Sequence, residues 1–548
     1  MAPYRNGSTT MAGVQSPTAR RLLSAPRVVS SWFHWTTRRL ERHPGALYAL
    51  CSLAVLAIIL VIASSSALPS GILPLLGICL LVGFLLGSLY LYIWTLQPKP
   101  LRQPKSLFLL TSVILLTAAI ARSFFFFLPS VHQALPNVPA SAIEYSIPVA
   151  IGGLLLAILF NSRLAFAGAL AISILTALLA ADGFRFFLYS LVSSLAAIFA
   201  LVGRKDRSIL LKAGMAVGLA NLYSVLAWSL LSGSTERLGF YLLCGLVGGL
   251  FVAVLSLGVL PLFEYLFEVA TDFRLLELCN LNHPLLKEMI LKAPGTYHHS
   301  VMVGTLAEAA AEAIGANTML CRVGAYYHDI GKITKPSYFV ENQQNVRSRH
   351  DKLGPNLSSL VIVSHVKAGV ELGRTYGLPP AVLEMIPQHH GTRLTIFFYH
   401  KAKGTEESDQ GEVHEEKFRY PGPKPQTKEA AILMLADAVE AASRTLTDPT
   451  PGRFQVLVAK IVNAVFVDGQ LRECELTFSE LRLIEESFVR ILCGIYHRRV
   501  EYPGFAFEDT VGRRGPNGDA GHKPTKEDQA RHELSKKGRA DHPRQSRG

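Results

Sequence analysis

Apolar residues crowd the first half of the chain in long runs, near 46–65, 72–95, 106–128, 145–160, 164–181, 186–203, 209–231 and 240–267. A helix needs roughly 20 apolar residues to cross a bilayer, so the runs predict about eight transmembrane helices over 44–268. The fourth to sixth are short or closely joined. From about 269 the pattern changes to leucine and isoleucine at helical spacing, interrupted by Gly and Pro. "DFRLLELCNLNHPLLKEMILKAPGTYHHS" breaks at Pro284 and at Pro294-Gly295. "SVMVGTLAEAAAEAIGA" predicts a helix stopped by Gly315, and "TMLCRVGAYYHDIGK" another with Gly331 at its end. "SSLVIVSHVKAGVELGRTYG" ends at Gly377, and Pro379 opens the next helix. "PQTKEAAILMLADAVEAASRTL" and "LRECELTFSELRLIEESFVRILCGIYHRR" complete the set. Period-two alternation is rare. The fold class is all-α: a polytopic helical membrane bundle, then an all-helical cytosolic domain over 269–505. The polar segment 401–428 reads as a lid or an insertion, and the basic stretch 506–548 as a disordered tail.

Charge sharpens this division. The chain has 548 residues, half of them hydrophobic, yet a net charge of +13. Only seventeen Asp, Glu, Lys and Arg lie within 44–268. With residues 1–43 as a basic cytosolic tail touching anionic lipid, rather than a transit peptide, fourteen basic residues fall on the inner side. They are seven arginines of the tail, then Lys99, Arg102, Lys105, Arg163, Arg204, Lys205 and Arg207. The outer loops hold Arg185 and Arg237. This bias orients the chain, and eight spans return the C-terminal half to the cytosol. A cleaved signal peptide does not fit the 43 residues ahead of the first run. Arg122, Lys212, Glu264 and Glu268 lie near span ends, where side chains can snorkel. The bundle therefore reads as an anchor or signal input rather than a transporter. "YLLCGLVGGL" offers small residues for close helix packing. The seven cysteines are scattered without CxxC spacing, which argues against disulfides and cysteine-bound zinc.

Candidate chemistry gathers in the second half. His298-His299 follow the Pro-Gly break; His328-Asp329, His365, His389-His390 and Asp437 come after it. Each lies in or at the end of an apolar helix, and antiparallel helices can bring such positions to one centre. Histidine and carboxylate are ligands for zinc, iron, manganese or nickel. A lone His328 would be an ordinary core residue, and His298 a neighbour. Asp437 sits among Leu433, Leu435 and Ala436, where an unpaired carboxylate is costly. Five such sites in order point to metal.

At these residues the chain resembles the HD-domain phosphohydrolases, and among them the seven-transmembrane HD-domain receptors, a branch that includes bacterial cyclic di-AMP phosphodiesterases. The words that carry the resemblance include "APGTYHHSVMVGTLAEAAAEAIGA", "YHDIGK", "FVENQ", "VIVSHVKAGVELG", "QHHGT", "YPGPKPQTKEAAILMLADAVEAASRTL" and "DGQL". The resemblance runs from about 70 to 503. Such proteins carry an extracellular sensor domain after the first span, but here only "SSSALPSG" stands at that point. "QHHGT" lacks the GYP word of the related cyclic di-GMP branch.

The resemblance implies that residues matching His299, His328, Asp329 and Asp437 hold one metal. Those matching His365, His389 and His390 hold the other, with Asp329 bridging. Two metals roughly 3.5–4 Å apart suit phosphoester hydrolysis by an activated water. It also implies iron, with manganese as substitute. Lys332, a turn beyond His328, is a candidate to meet phosphate oxygens, and Arg393 a weaker one. Asn342 and Gln343 read an adenine edge or cap a loop, and Glu308 and Glu312 form an exposed face. The implied function is a membrane-anchored phosphodiesterase opening cyclic di-AMP to pApA, with His328, Asp329 and Lys332 as catalytic residues. Two alternatives stand beside it: a nucleotide-sensing receptor with little turnover, and hydrolysis of another cyclic dinucleotide. The implied partners are the bilayer and the substrate, with no nucleic-acid polymer; a homo-oligomer is open.

Overall fold

The computed structural model describes residues 44–96, 102–203, 208–343, 348–404 and 413–496. The two tails, Lys99 and the basic cluster Arg204, Lys205 and Arg207 lie outside them. Among the described residues the chain is all-α, with a single isolated bridge between Leu394 and Arg419. All seven cysteines are free.

Among the described residues seven helices are long and apolar enough to span a bilayer: Pro44–Ala63, Ile72–Leu96, Pro104–Ala134, Ala140–Leu159, Gly183–Leu201, Ser208–Leu231 and Leu238–Phe267. The run expected as the span 164–181 forms a shorter helix, Ser162–Ala177. Ala140–Leu159 is itself interrupted, with a short helix Ala140–Ile143, a 3-10 turn, and Ala150–Leu159. Both pieces sit inside the bundle, where neighbouring helices rather than lipid surround them. Broken or short helices persist at membrane depth when protein encloses them. The first two helices are joined by residues 64–71 alone.

The glycines of "YLLCGLVGGL" bring the last two helices together. A Cβ on Gly249 would fall 2.5 Å from the Gly218 backbone nitrogen and 2.6 Å from the Gly214 oxygen. Any larger residue there must push the helices apart, at about 1–3 kcal/mol. The bundle also buries a charge pair that the sequence reading missed. Arg185, assigned above to an outer loop, lies in the first turn of Gly183–Leu201 and pairs with the buried Glu144. Arg122 reaches the turn after the first span, where it donates to the Ser64 hydroxyl at 3.0 Å and carbonyl at 2.6 Å.

Leu238–Phe267 ends at Glu268, whose φ of 50° turns the chain. Thr271 then caps Asp272–Leu278, accepting from the Arg274 backbone N–H and donating to Glu264. The connection is thus a clamped turn, not one continuous helix. Beyond it, Pro284–Lys292, Pro294–Ile314, Thr318–Tyr327, Pro355–Thr375, Pro380–Gln388, Lys428–Ser443 and Phe478–Ile495 pack around shared apolar cores. Gly315 (φ 68°) stops one helix as expected, and Thr477 with Glu480 forms a capping box for the last. Helices Ile396–Gly404 and Pro451–Val467 were not anticipated.

Two boundaries depart from the sequence reading. Thr318–Tyr327 ends four residues before Gly331, which lies in a 3-10 turn. A Cβ on Gly331 would lie 1.8 Å from the His365 carbonyl oxygen, so glycine there serves a close backbone approach rather than a helix stop. Within 401–428, residues 405–412 lie outside the described set. The rest is packed: Phe418 and Tyr420 are buried against the domain.

Candidate metal centre

Five helices deliver the seven expected ligands. His299 rides in the second turn of Pro294–Ile314, and Asp437 within Lys428–Ser443. His365 sits mid-helix in Pro355–Thr375. His328 and His389 each stand at a helix C-terminus, and the turns that follow aim Asp329 and His390 at the same point. The ligand atoms fall into two groups: His299, His328 and Asp437, and Asp329, His365, His389 and His390. Within each group they lie within 4.8 Å of one another. His298 points elsewhere and is exposed.

Asp329 joins the groups. Its Oδ2 is 3.2 Å from His328 Nε2 and 3.7 Å from His299 Nε2. Its Oδ1 is 3.3 Å from His365 Nε2 and 3.8 Å from His389 Nε2. Asp437 Oδ1 is 2.9 Å from His299 Nε2 and 3.8 Å from His328 Nε2. Donor atoms about 2.1 Å from a shared cation stand about 3.0–3.4 Å apart, close to these separations.

The hydrogen bonds leave the right atoms bare. Nδ1–H donates to the carbonyl three residues back in His328 (to Ala325, 2.6 Å), His365 (to Ile362, 2.6 Å) and His389 (to Ile386, 2.5 Å). That fixes the tautomer and frees each Nε2. Those three Nε2 atoms and Asp329 Oδ1 are buried without a hydrogen-bond partner. Orphaned atoms of this kind are costly, and a divalent cation is the group they fit. His299 is oriented instead by Glu440, at 2.5 Å from its Nδ1. Arg444 holds Glu440 in turn, its Nε donating at 2.7 Å.

Electrostatics sorts the imidazoles. Burial opposes charge on His299 and His328, but the facing carboxylates outweigh it and raise their pKa values to about 9 and about 10. Burial likewise opposes ionisation of Asp329 and Asp437; Lys332 and His328 hold the first well below the carboxylate range, His299 and His328 the second. Burial and neighbouring imidazoles press His389 down to about 3 and lower His390, and burial with the Lys332 charge lowers His365. Two carboxylates thus set negative charge beside His299 and His328, where a bound cation would stand in place of a proton.

Lys332 extends into this centre, 2.7 Å from Asp329 Oδ2 and 2.8 Å from Glu341 Oε1. Its side chain is 14% exposed. Arg393 is half-buried beside Tyr420. Asn342 caps a helix: its Oδ1 accepts from the Thr296 N–H at 3.2 Å and its Nδ2 donates to Thr296 Oγ1 at 2.8 Å. Gln343 donates to the Ser337 carbonyl. Glu308 pairs with Arg322, and Glu312 is exposed.

Glu440, Glu341 and Tyr420 escaped the sequence reading. Glu440 could have been found as a second carboxylate one turn beyond Asp437 on an apolar helix. Tyr420 could not, because it lies in a segment with no helical period; its ring stacks on His390 at 4.2 Å.

Comparison with known proteins agrees with this architecture. A family model described as "7TM receptor with intracellular HD hydrolase" matches residues 72–271, and an HD domain model matches 296–442. The chain is 40% identical over 439 residues to the cyclic-di-AMP phosphodiesterase PgpH of Bacillus subtilis, and 39% identical over 438 residues to that of Listeria monocytogenes. Each alignment covers 78% of this chain. The chain spans 60% and 58% of the length of these two relatives. A crystal structure of the L. monocytogenes PgpH HD domain in complex with cyclic-di-AMP is 48% identical; it matches 40% of this chain and all of that one, with a TM-score of 0.38. With the first match covering the last seven helices of the bundle and the second enclosing all seven ligands, the chain belongs to the family of seven-transmembrane proteins that carry an HD hydrolase domain.

Proposed function

We propose that the chain is a membrane-anchored phosphodiesterase that opens cyclic di-AMP to linear pApA. The observation that carries this reading is the set of four buried, unpartnered ligand atoms, His328 Nε2, Asp329 Oδ1, His365 Nε2 and His389 Nε2, inside two converging groups. His299, His328, Asp329 and Asp437 would hold one divalent cation. His365, His389 and His390 would hold the other, with Asp329 shared. Iron is the proposed native metal and manganese its substitute, because five nitrogens favour transition metals over magnesium. Two such cations supply the Lewis acidity that activates water and neutralises charge on the phosphoryl group.

The chain's own residues complete the site. Lys332, fixed by Asp329 and Glu341, sets a permanent positive charge at one edge of the centre. Arg393 makes no ion pair among the described residues. Its guanidinium is the group we assign to a non-bridging phosphate oxygen. Tyr420, stacked on His390, closes the apolar side of the site. The names of the two bacterial relatives favour an adenine dinucleotide.

The proposed domain boundary is the turn at Glu268. Counting Ser162–Ala177 as a crossing gives seven helices over 72–271 and eight in all. Eight crossings put both ends on one side, and the basic loops make that side the cytosol. The test is the full chain in lipid nanodiscs, loaded with iron or manganese and offered cyclic di-AMP, cyclic di-GMP and cyclic GMP-AMP. Conversion of cyclic di-AMP to pApA, faster than the other two, is expected. A metal-loaded chain that turns over none of the three would sink the reading.

A further inference from the structure

A second polar concavity lies in the membrane bundle. It has a volume of about 380 Å³ and opens where Ala140–Leu159, Gly183–Leu201, Ser208–Leu231 and Leu238–Phe267 have their neighbouring ends. That is a size suited to a small molecule. Three carboxylates line it, Glu144, Asp182 and Glu236. Three aromatic side chains join them, Tyr145, Trp228 and Tyr241.

The cavity's one guanidinium is already occupied. Arg185 pairs with Glu144, reaches Asp182 Oδ2 at 3.4 Å and donates to the Ser141 carbonyl at 3.3 Å. Its remaining face lies 5.3 Å from the centre of the Tyr145 ring. An anionic ligand therefore finds no available positive charge. A cation finds a formal surplus of two negative charges, and Glu236 makes no ion pair among the described residues. Aromatic faces beside carboxylates attract ammonium groups through the ring quadrupole as well as through charge.

We propose that this cavity binds a small organic cation carrying an ammonium group. The chemistry is shared by free amines and by the amine headgroup of a lipid. Tyr241, which hydrogen-bonds Ser141 at 2.7 Å, stands in the first turn of the thirty-residue helix Leu238–Phe267. The last turn of that helix leads into the HD domain, about 45 Å away at helical rise. A ligand here touches the element that joins the two regions.

The experiment reads binding directly and is independent of turnover. The full chain is placed in phosphatidylglycerol nanodiscs with Trp32→Phe, Trp35→Phe and Trp94→Phe, leaving Trp228 as its tryptophan. Choline is the probe, and betaine, the same quaternary ammonium with a carboxylate, is the control. A saturable change in Trp228 emission with choline is expected, with betaine at least tenfold weaker. Glu236→Gln should weaken choline at least threefold, and Ser229→Phe, which fills the cavity, should abolish the signal. Glu236 is exposed, so its variant keeps the test valid if Ser229→Phe fails to fold. Adding phosphatidylethanolamine separates the sources: a weakened choline response assigns the headgroup as occupant, and an unchanged one assigns a soluble amine. No saturation, equal binding of betaine, or indifference to Glu236→Gln overturns the proposal.

Discussion

The membrane bundle and the HD domain both bury polar side chains, but they satisfy them in opposite ways. In the bundle, Arg185 and Glu144 take up each other's charge. Asn221 accepts from Ser193 and donates to the Gly245 carbonyl at 2.9 Å. Scattered unpartnered atoms occur in both regions, Ser173 and Ser194 hydroxyls in the bundle and Ser300, Ser358 and Ser487 hydroxyls with His350 Nδ1 in the HD domain. In the HD domain, two carboxylates and five imidazoles converge, and four of their ligand atoms stay bare. An unmade bond at a buried polar group costs about 1–3 kcal/mol. Scattered polar atoms satisfied nearby are architecture; unsatisfied atoms aimed at one point are a binding site.

The largest expected effect breaks the HD side of this contrast. His328→Ala with Asp329→Ala should reduce cyclic di-AMP turnover at least about 1,000-fold, a barrier change of about 4 kcal/mol. Bound metal, measured by elemental analysis, should fall with it while circular dichroism keeps the helical signal. An active double mutant would remove Asp329 as the shared ligand.

Next comes the bundle side. Glu144→Gln leaves the buried Arg185 charge with only the half-exposed Asp182 carboxylate, and should destabilise the bundle by about 3 kcal/mol. Thermal unfolding in nanodiscs measures this, and the metal content of the HD domain should not change. Were the variant as stable as the parent, the pair would not be structural and the contrast would fail.

Smaller changes sharpen the comparison. Glu440→Gln removes the carboxylate that orients His299 and should weaken metal affinity about 10–100-fold. Titration with a competing chelator reads that loss, and unaltered affinity would leave Glu440 with no part in the centre. Asn342→Ala removes the side chain that caps the helix at Thr296, at about 1 kcal/mol of stability. KM should stay within about twofold of the parent. A large rise in KM would return Asn342 to the base-reading role that the sequence allowed.

Much of this contrast was legible in the sequence, for local reasons. Gly315 and Gly377 end helices because each adopts positive φ, at 68° and 69°. The His and Asp series stood out because polar residues recur on apolar helices. What the sequence hid depends on tertiary packing. Ser162–Ala177 reads as a longer span because the apolar run continues past the helix end to Ala181. Glu144 and Arg185 are 41 residues apart, so neither announces the other. Gly331 looks like a helix stop but serves a backbone contact, and Tyr420 reaches His390 from a stretch without periodicity.

That backbone contact has a mechanical consequence. The turn behind Asp329 rests on the carbonyl of His365 with no side chain between them. The shared carboxylate and a ligand of the second group are therefore coupled like two teeth of one gear. A push on the helix Pro355–Thr375 at His365 bears directly on the turn that carries Asp329.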